Sequence, residues 1–356
     1  MTEWTLKTEE RAILTLRQLY RQYGYMPYKM SRFEEYDLYV RNKDFLVSDQ
    51  IITFSGSQGK LLALKPDVTL SIVKNAPDTP GVVQKVYYNE NVYRDYREIM
   101  QAGLECVGDL SDYEIAEVVL LAAKSLHLLG ERYVLELSHM GLIGAVLEST
   151  GMDEDARNQA MEFLRRKNTH QLKQLCGESG QWEKLEQLCN CRGSAEAVLD
   201  RMTAVLTTRQ EKEALEELRG LYRMLQEQGC GDAVKIDFSV GSDLRYYNGV
   251  IFRGYLSGIP TAILSGGQYD RLPKKMGRKA RAIGFAIYVD LLQRMWQDQD
   301  CADVDTLILH DGSVDARTLS RAAAEAAREG SVLVCTALPQ GRSWKKLVQF
   351  QEGKQL

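Results

Sequence analysis

The chain has 356 residues, 44% of them hydrophobic and 26% charged, with a formal net charge of −4. That length suits two or three domains around at least one large core, and the charge balance lacks the basic excess of a dedicated nucleic-acid binder. No apolar run approaches the roughly 20 residues that span a bilayer, and the opening Met-Thr-Glu-Trp-Thr-Leu-Lys holds no signal-peptide core. A cytoplasmic protein is expected, with its seven cysteines reduced.

In chain order, Ile13, Leu14, Leu16, Leu19 and Tyr20 give an apolar stripe that predicts a helix over 8–23, stopped by Gly24. An irregular stretch to about 45 precedes an expected hairpin, with strand 46–54, turn Ser55–Gly59 and return strand Lys60–Lys65. Pro66-Asp67-Val68-Thr69 suits a helix start, since proline fits the first turn and aspartate the positive end of the dipole. Strands are expected at Val82–Tyr88 and Ile99–Val107, with Arg94–Ile99 turning between them. Ser111-Asp112-Tyr113-Glu114 is a capping signature before an apolar helix, Ile115–Leu129.

Residues 145–230 are almost all helical in pattern and read as an insertion. Strand signals return at Val234–Phe238, Val250–Tyr255, Thr261–Leu264 and Ala282–Val289, and an amphipathic stretch runs through Trp296. The expected domains are a core over 1–297, a polar linker at 298–303, and a small α/β unit over 304–356 with a βαβ pattern at Thr306–His310, Ala316–Arg328 and Ser331–Thr336. The fold class is α+β, an antiparallel sheet flanked by helices with a helical insertion.

Chemistry-bearing residues gather in a few stretches. In an extended Gln101–Glu105, the side chains of Gln101, Gly103 and Glu105 share one face. They form either a polar floor able to hold an amine and a ring N–H, or a solvent-facing edge. Ser265-Gly266-Gly267-Gln268-Tyr269-Asp270 lets backbone approach a ligand, or is a tight turn; Gly284 sits in an apolar strand. Neither stretch fits the general phosphate-binding glycine motifs. Cys176, Cys189 and Cys191, with His170 nearby, lack the paired spacing of a zinc site, so helical thiols and no metal are expected.

Taken together, Leu64–Thr69, Val92-Tyr93-Arg94 through Gln101–Glu105, Leu244–Phe252, Gly266–Asp270 and Ala282–Ala286 resemble histidyl-tRNA synthetase, a class II synthetase, in that family's order. The resemblance covers roughly residues 8–297. It implies a histidine pocket in which Asp67, Thr69 and Gln101 hold the amino group and Glu105 and Tyr247 read the imidazole. Asp67 stands where the family has glutamate. Arg94 matches the arginine that grips a phosphate or carboxylate.

Other parts of the machinery differ. Leu291 and Ser242 stand where the family carries two further arginines, and Arg245 lies three residues along, on the other face of an extended segment. Losing one preorganised donor costs about 10²–10³ in rate, so no catalytic residues and no cofactor are expected. The turn after Arg94 is short, Ser31 replaces a proline of the family's dimer motif, and the tail has room for only part of an anticodon-binding domain. Lys345, Lys346 and Lys354 are too few for an RNA face.

A pocket kept without the activation chemistry is similar to the regulatory subunits of ATP phosphoribosyltransferase. That implies a short-form catalytic subunit as partner, histidine as effector, a homodimer within a hetero-oligomer, and no membrane or tRNA. The alternatives are an active histidyl-tRNA synthetase with displaced arginines, or another synthetase-like amino-acid-binding paralogue.

Overall fold

A computed structural model describes residues 8–46, 50–177, 182–240, 246–296, 302–351 and 354–355. The chain divides into two compact units, one of Thr8–Met295 and one built on Trp296–Leu356.

The larger unit opens with α1 (Thr8–Gln22), β1 (Met26–Pro27), β2 (Phe33–Glu35), α2 (Tyr36–Arg41), β3 (Thr53–Ser55), β4 (Leu61–Leu64) and α3 (Thr69–Asn75). Two long strands follow, β5 (Val83–Arg94) and β6 (Arg97–Gly108), then α4 (Asp112–Leu129) and β7 (Tyr133–His139). Six helices come next: α5 (Met140–Ser149), α6 (Glu154–Arg165), α7 (Thr169–Cys176), α8 (Trp182–Cys189), α9 (Ala195–Val205) and α10 (Arg209–Glu227). The unit closes with β8 (Val234–Ile236), β9 (Val250–Leu256), β10 (Leu264–Gln268), α11 (Arg271–Lys275), β11 (Arg281–Tyr288) and α12 (Val289–Trp296).

Eight strands form one sheet in the order β1-β5-β6-β11-β10-β9-β7-β8. Every pair from β5 to β7 is antiparallel, and only the edge pairs β1·β5 and β7·β8 are parallel. Alternation along β5 sorts its aromatic residues between the two faces. Tyr87 meets Tyr20 of α1 at 6.1 Å between ring centroids, on the face that α1 and α4 cover. Tyr88 points to the opposite face, into a core with Val92, Val107, Tyr269, Leu272 and the α3 residues Leu70, Ile72 and Val73. The small sheet β2-β4-β3 also lies on this side. The expected cap of α4 is present: Ser111 Oγ accepts from Tyr113 N at 3.2 Å, and Glu114 accepts from Ser111 N at 2.8 Å. Such a cap is worth about 1 kcal/mol.

Several expectations are corrected. The strand expected over 46–54 reduces to Thr53–Ser55, with a 3-10 turn at Lys43–Phe45 and residues 47–49 outside the described ones. The turn expected over Arg94–Ile99 is only Asp95 and Tyr96, both at positive φ (50° and 59°), so β5 and β6 each run for 12 residues. The strand expected at Thr261–Leu264 lies instead at Leu264–Gln268, so the glycines of that motif are held in a strand between β9 and β11 rather than in a turn. Strand β7 follows α4 unannounced, because Tyr133–His139 is too short to stand out between two helical patterns.

In the insertion, helices α6 to α10 pack each on the next around Leu164, Leu172, Leu185, Leu188, Leu199 and Leu218. One ion pair is buried there. Lys184 Nζ lies 2.7 Å from Glu211 Oε1, with side-chain exposures of 6% and 0%. Glu211 also accepts from Ser149 Oγ (2.8 Å) and closes the capping box of α10 with Thr208. Its carboxyl is buried, which alone would raise its pKa, but these donors hold it down to about 2.

The smaller unit is a four-stranded sheet, β13 (Val332–Cys335), β12 (Val304–His310), β14 (Trp344–Gln351) and β15 (Lys354–Gln355), in that order. β12 runs parallel to both neighbours, and helix α13 (Ala316–Ala326) packs Leu319, Ala322 and Ala323 on Ile308, Val314 and Phe350. Sequence reading supplied the βαβ but not β14. Its alternating Trp344-Lys345-Lys346-Leu347-Val348 reads as a polar tail without its neighbour.

Candidate functional site

A cavity of about 240 Å³ opens on the sheet face that carries Tyr88. It brings together Asp67, Thr69, Arg94, Gln101, Glu105 and Tyr247. Three elements position them. β6 carries Gln101 and Glu105 on one face, four residues apart; Gly103 between them leaves room for the Tyr88 phenol. The segment from Pro66 into α3 carries Asp67 and Thr69. Asp67 Oδ1 accepts from Leu70 N at 2.8 Å, just ahead of α3, which begins at Thr69 rather than at Pro66. Tyr247 lies just before β9 and packs against Tyr246, ring centroids 4.4 Å apart and planes tilted by 57°.

Glu105 is the most buried of the charge-bearing groups that line this cavity, 2% exposed. Thr69 Oγ1 donates to its Oε1 at 2.7 Å, and the Tyr269 hydroxyl donates to its Oε2. Register explains how the carboxyl fits: Glu105 pairs with Gly284 of β11, and a Cβ on Gly284 would coincide with Glu105 Oε2. Burial pushes the Glu105 carboxyl up to about 8; the two hydroxyls act against that shift, and nearby Asp67 adds to it. Burial also raises Asp67, against the pull of Arg94.

Arg94 is 7% exposed and turned inward. Its Nε donates to Pro66 O at 2.6 Å, and Nη2 lies 3.6 Å from Asp67 Oδ2. It is the one lysine or arginine that lines the cavity among the described residues, against Asp44, Asp67 and Glu105. Gln101, 2% exposed, has no side-chain hydrogen-bond partner among the described residues. The site therefore offers buried acceptors and an unspent amide, and its single cation is engaged in part, through Nε and Nη2. That arrangement suits a small ligand bearing N–H groups and disfavours a polyphosphate.

Leu291 lies in α12, half-buried, and does not line the cavity. Ser242 and Arg245 fall outside the described residues. Ser31 sits on an exposed turn, its Oγ accepting from Phe33 N at 3.3 Å. Sequence reading missed Tyr88, Tyr246, Tyr269 and Tyr288, which also line the cavity. Tyr269 stood in a quoted motif without a role, and Tyr88 has no signal until the β5·β6 register is known.

A larger cleft, about 1030 Å³, lies between the sheet and helices α5, α6 and α10, with Tyr247 on its border. Several of its polar groups are paired with each other, such as Glu217 with the His139 ring and Glu162 with Arg165, both at 3.1 Å. It holds no buried carboxylate as poorly compensated as Glu105, so the smaller cavity is the candidate site. Among the described residues no helix is long and apolar enough to cross a membrane.

Comparison with known proteins agrees with this architecture. The family model described as histidyl-tRNA synthetase matches residues 3–292. The ATP phosphoribosyltransferase regulatory subunit of Clostridium kluyveri is 30% identical over 294 residues, covering 77% of this chain and 74% of the relative. A crystal structure from Bacillus halodurans C, described as an ATP phosphoribosyltransferase regulatory subunit/histidyl-tRNA synthetase, superposes with a TM-score of 0.77 at 24% identity, covering 98% of this chain and 95% of that one. The ATP phosphoribosyl transferase (HisG:HisZ) complex from Thermotoga maritima contains a chain with a TM-score of 0.63 at 18% identity, covering 79% of this chain and 97% of its own. The chain thus has the class II synthetase-like fold and belongs to the histidyl-tRNA synthetase family, among the regulatory subunits of ATP phosphoribosyltransferase rather than the enzymes.

Proposed function

We propose that this chain is the histidine-sensing subunit of an ATP phosphoribosyltransferase. It acts with a short-form catalytic subunit in the first step of histidine biosynthesis and confers feedback control by histidine. The observation that carries the reading is the cavity itself: two buried carboxylates, Glu105 and Asp67, face an unpartnered Gln101 in about 240 Å³. That volume is below the range of drug-sized pockets and suits one amino acid. Asp67, Thr69 and Gln101 hold the amino group, and Glu105 and Tyr247 hold the ring. Arg94 is left for the carboxylate end.

Feedback follows if histidine binds one state of the complex better than another. The transfer chemistry belongs to the catalytic partner, in the cytoplasm, and the regulatory chain pairs with a second copy of itself within the hetero-oligomer. The core over 1–297 carries the pocket, and the α/β unit over 304–356 follows a linker at 298–303. Neither tRNA nor a cofactor has a role.

The test is calorimetry of the purified chain with histidine and, in parallel, with ATP. Histidine binds and ATP does not, and adding histidine to the complex with the short catalytic subunit lowers its phosphoribosyl transfer. Histidine-dependent exchange of pyrophosphate into ATP by the chain alone would overturn the reading in favour of an active synthetase.

A further inference from the structure

We propose that Tyr88 reads the ligand's ring, its hydroxyl donating to the ring nitrogen nearer the α-carbon; this rests on the histidine reading above. Register places Tyr88 of β5 directly opposite Gly103 of β6. The phenol lies back over that glycine, and a Cβ on Gly103 would stand 2.6 Å from the Tyr88 hydroxyl. The hydroxyl therefore sits above the middle of the floor, between Gln101 and Glu105.

Tyr88 is only 3% exposed, it lines the cavity, and its hydroxyl has no hydrogen-bond partner among the described residues. That hydroxyl is not sealed from solvent but opens on the cavity, where a ligand atom can take the place of water. The neighbouring Gln101 amide is in the same condition.

The three positions make a donor–acceptor pattern. Asp67 accepts from the amino group at one end, and Glu105 accepts from the farther ring N–H at the other. The nearer ring nitrogen falls between them, over Gly103. In the tautomer that presents its N–H to Glu105, this nitrogen carries only a lone pair. An ionised carboxylate cannot serve it, and a phenol can. The pocket then selects rings with a bare nitrogen beside the point of attachment, because a C–H there displaces water from the Tyr88 hydroxyl without replacing its hydrogen bond.

The experiment is calorimetry on the full chain and on Tyr88→Phe, each with histidine and with β-(pyrazol-4-yl)alanine. That analogue keeps a far N–H but has C–H at the near position. Titrations are run above about pH 8, so that both rings are neutral and the Glu105 carboxyl is ionised. The unaltered chain binds histidine about ten- to a hundred-fold more tightly than the analogue, and Tyr88→Phe erases that preference by weakening histidine alone. Equal affinity of the unaltered chain for both ligands overturns the proposal, and that arm needs no variant to fold. So does a Tyr88→Phe protein that keeps the preference, or one that loses both ligands equally. If the unaltered chain binds neither, the histidine reading itself falls, a result distinct from the others.

Discussion

Two buried carboxylates in this molecule are held in opposite ways. Glu211, in the helical insertion, is wholly enclosed and faces Lys184, a serine hydroxyl and backbone N–H groups, and its carboxyl is held down to about 2. Glu105, on the sheet, is almost as enclosed and faces two hydroxyls and another acid, and its carboxyl is pushed up to about 8. Burial is common to both and so identifies neither as functional. A buried charge whose partners are all internal is finished, whereas one opening on a cavity with its compensation missing is waiting for something from outside.

The widest separation of the two comes from removing one partner. Lys184→Met leaves Glu211 uncompensated and should cost about 3–5 kcal/mol in denaturant unfolding, most of it recovered when Glu211→Leu is added. Recovery is the informative half: without it, the pair is more than a matched set of charges.

Next, Gly284→Ala drives a methyl group into the Glu105 carboxyl and against Leu104 O. Overpacking of this kind costs about 1–3 kcal/mol, and histidine binding measured by calorimetry should disappear with it. If affinity survives, the Glu105 carboxyl can move aside without losing the ligand, and its placement is less fixed than the register implies.

The pH dependence separates the two sites without disturbing the fold. The folded pKa of Glu105 lies above its ordinary 4.5, so the native state keeps a proton that the unfolded chain gives up. Its contribution is fully present below about 4.5 and is lost as pH rises towards 8. Glu211 is lowered, so its contribution is present above 4.5 and is lost as pH falls towards 2. Unfolding free energy measured across pH should therefore flatten between 4.5 and 8 in Glu105→Gln, leaving the acid limb unchanged. A Glu105→Gln profile superimposable on the original would mean that Glu105 is already ionised in the folded chain.

The smallest effect lies far from both sites. Asp95 and Tyr96 turn the β5–β6 hairpin at positive φ without being glycine, and Tyr96 is 83% exposed. Tyr96→Gly should stabilise by about 1 kcal/mol in thermal unfolding, with histidine affinity untouched.

How far these features could be read beforehand follows their range along the chain. The α4 cap and the floor of Gln101, Gly103 and Glu105 are local patterns, legible from a handful of neighbours. The polar floor was ambiguous until the sheet enclosed it, because alternation alone does not say which face is buried. Tyr88 and Gly284 become site-forming only through cross-strand register, which no stretch of sequence states. Glu211 resembled any helical glutamate, since its partners Lys184 and Ser149 lie 27 and 62 residues away. Of the strand expected over 46–54, the described part is Thr53–Ser55, which ends where its pairing with β4 ends.

The two-residue hairpin turn has a consequence for which changes of length the chain can tolerate. A longer loop would absorb an extra residue as slack, but Asp95 and Tyr96 have none to give. An odd insertion within β6 before Gln101, if carried through the strand, rotates Gln101 and Glu105 to the face that α1 and α4 cover; an even one shifts their pairing but returns them to the cavity side. The pocket is thus guarded by parity, and surviving relatives with unequal lengths here should differ by even numbers unless the turn itself has been rebuilt.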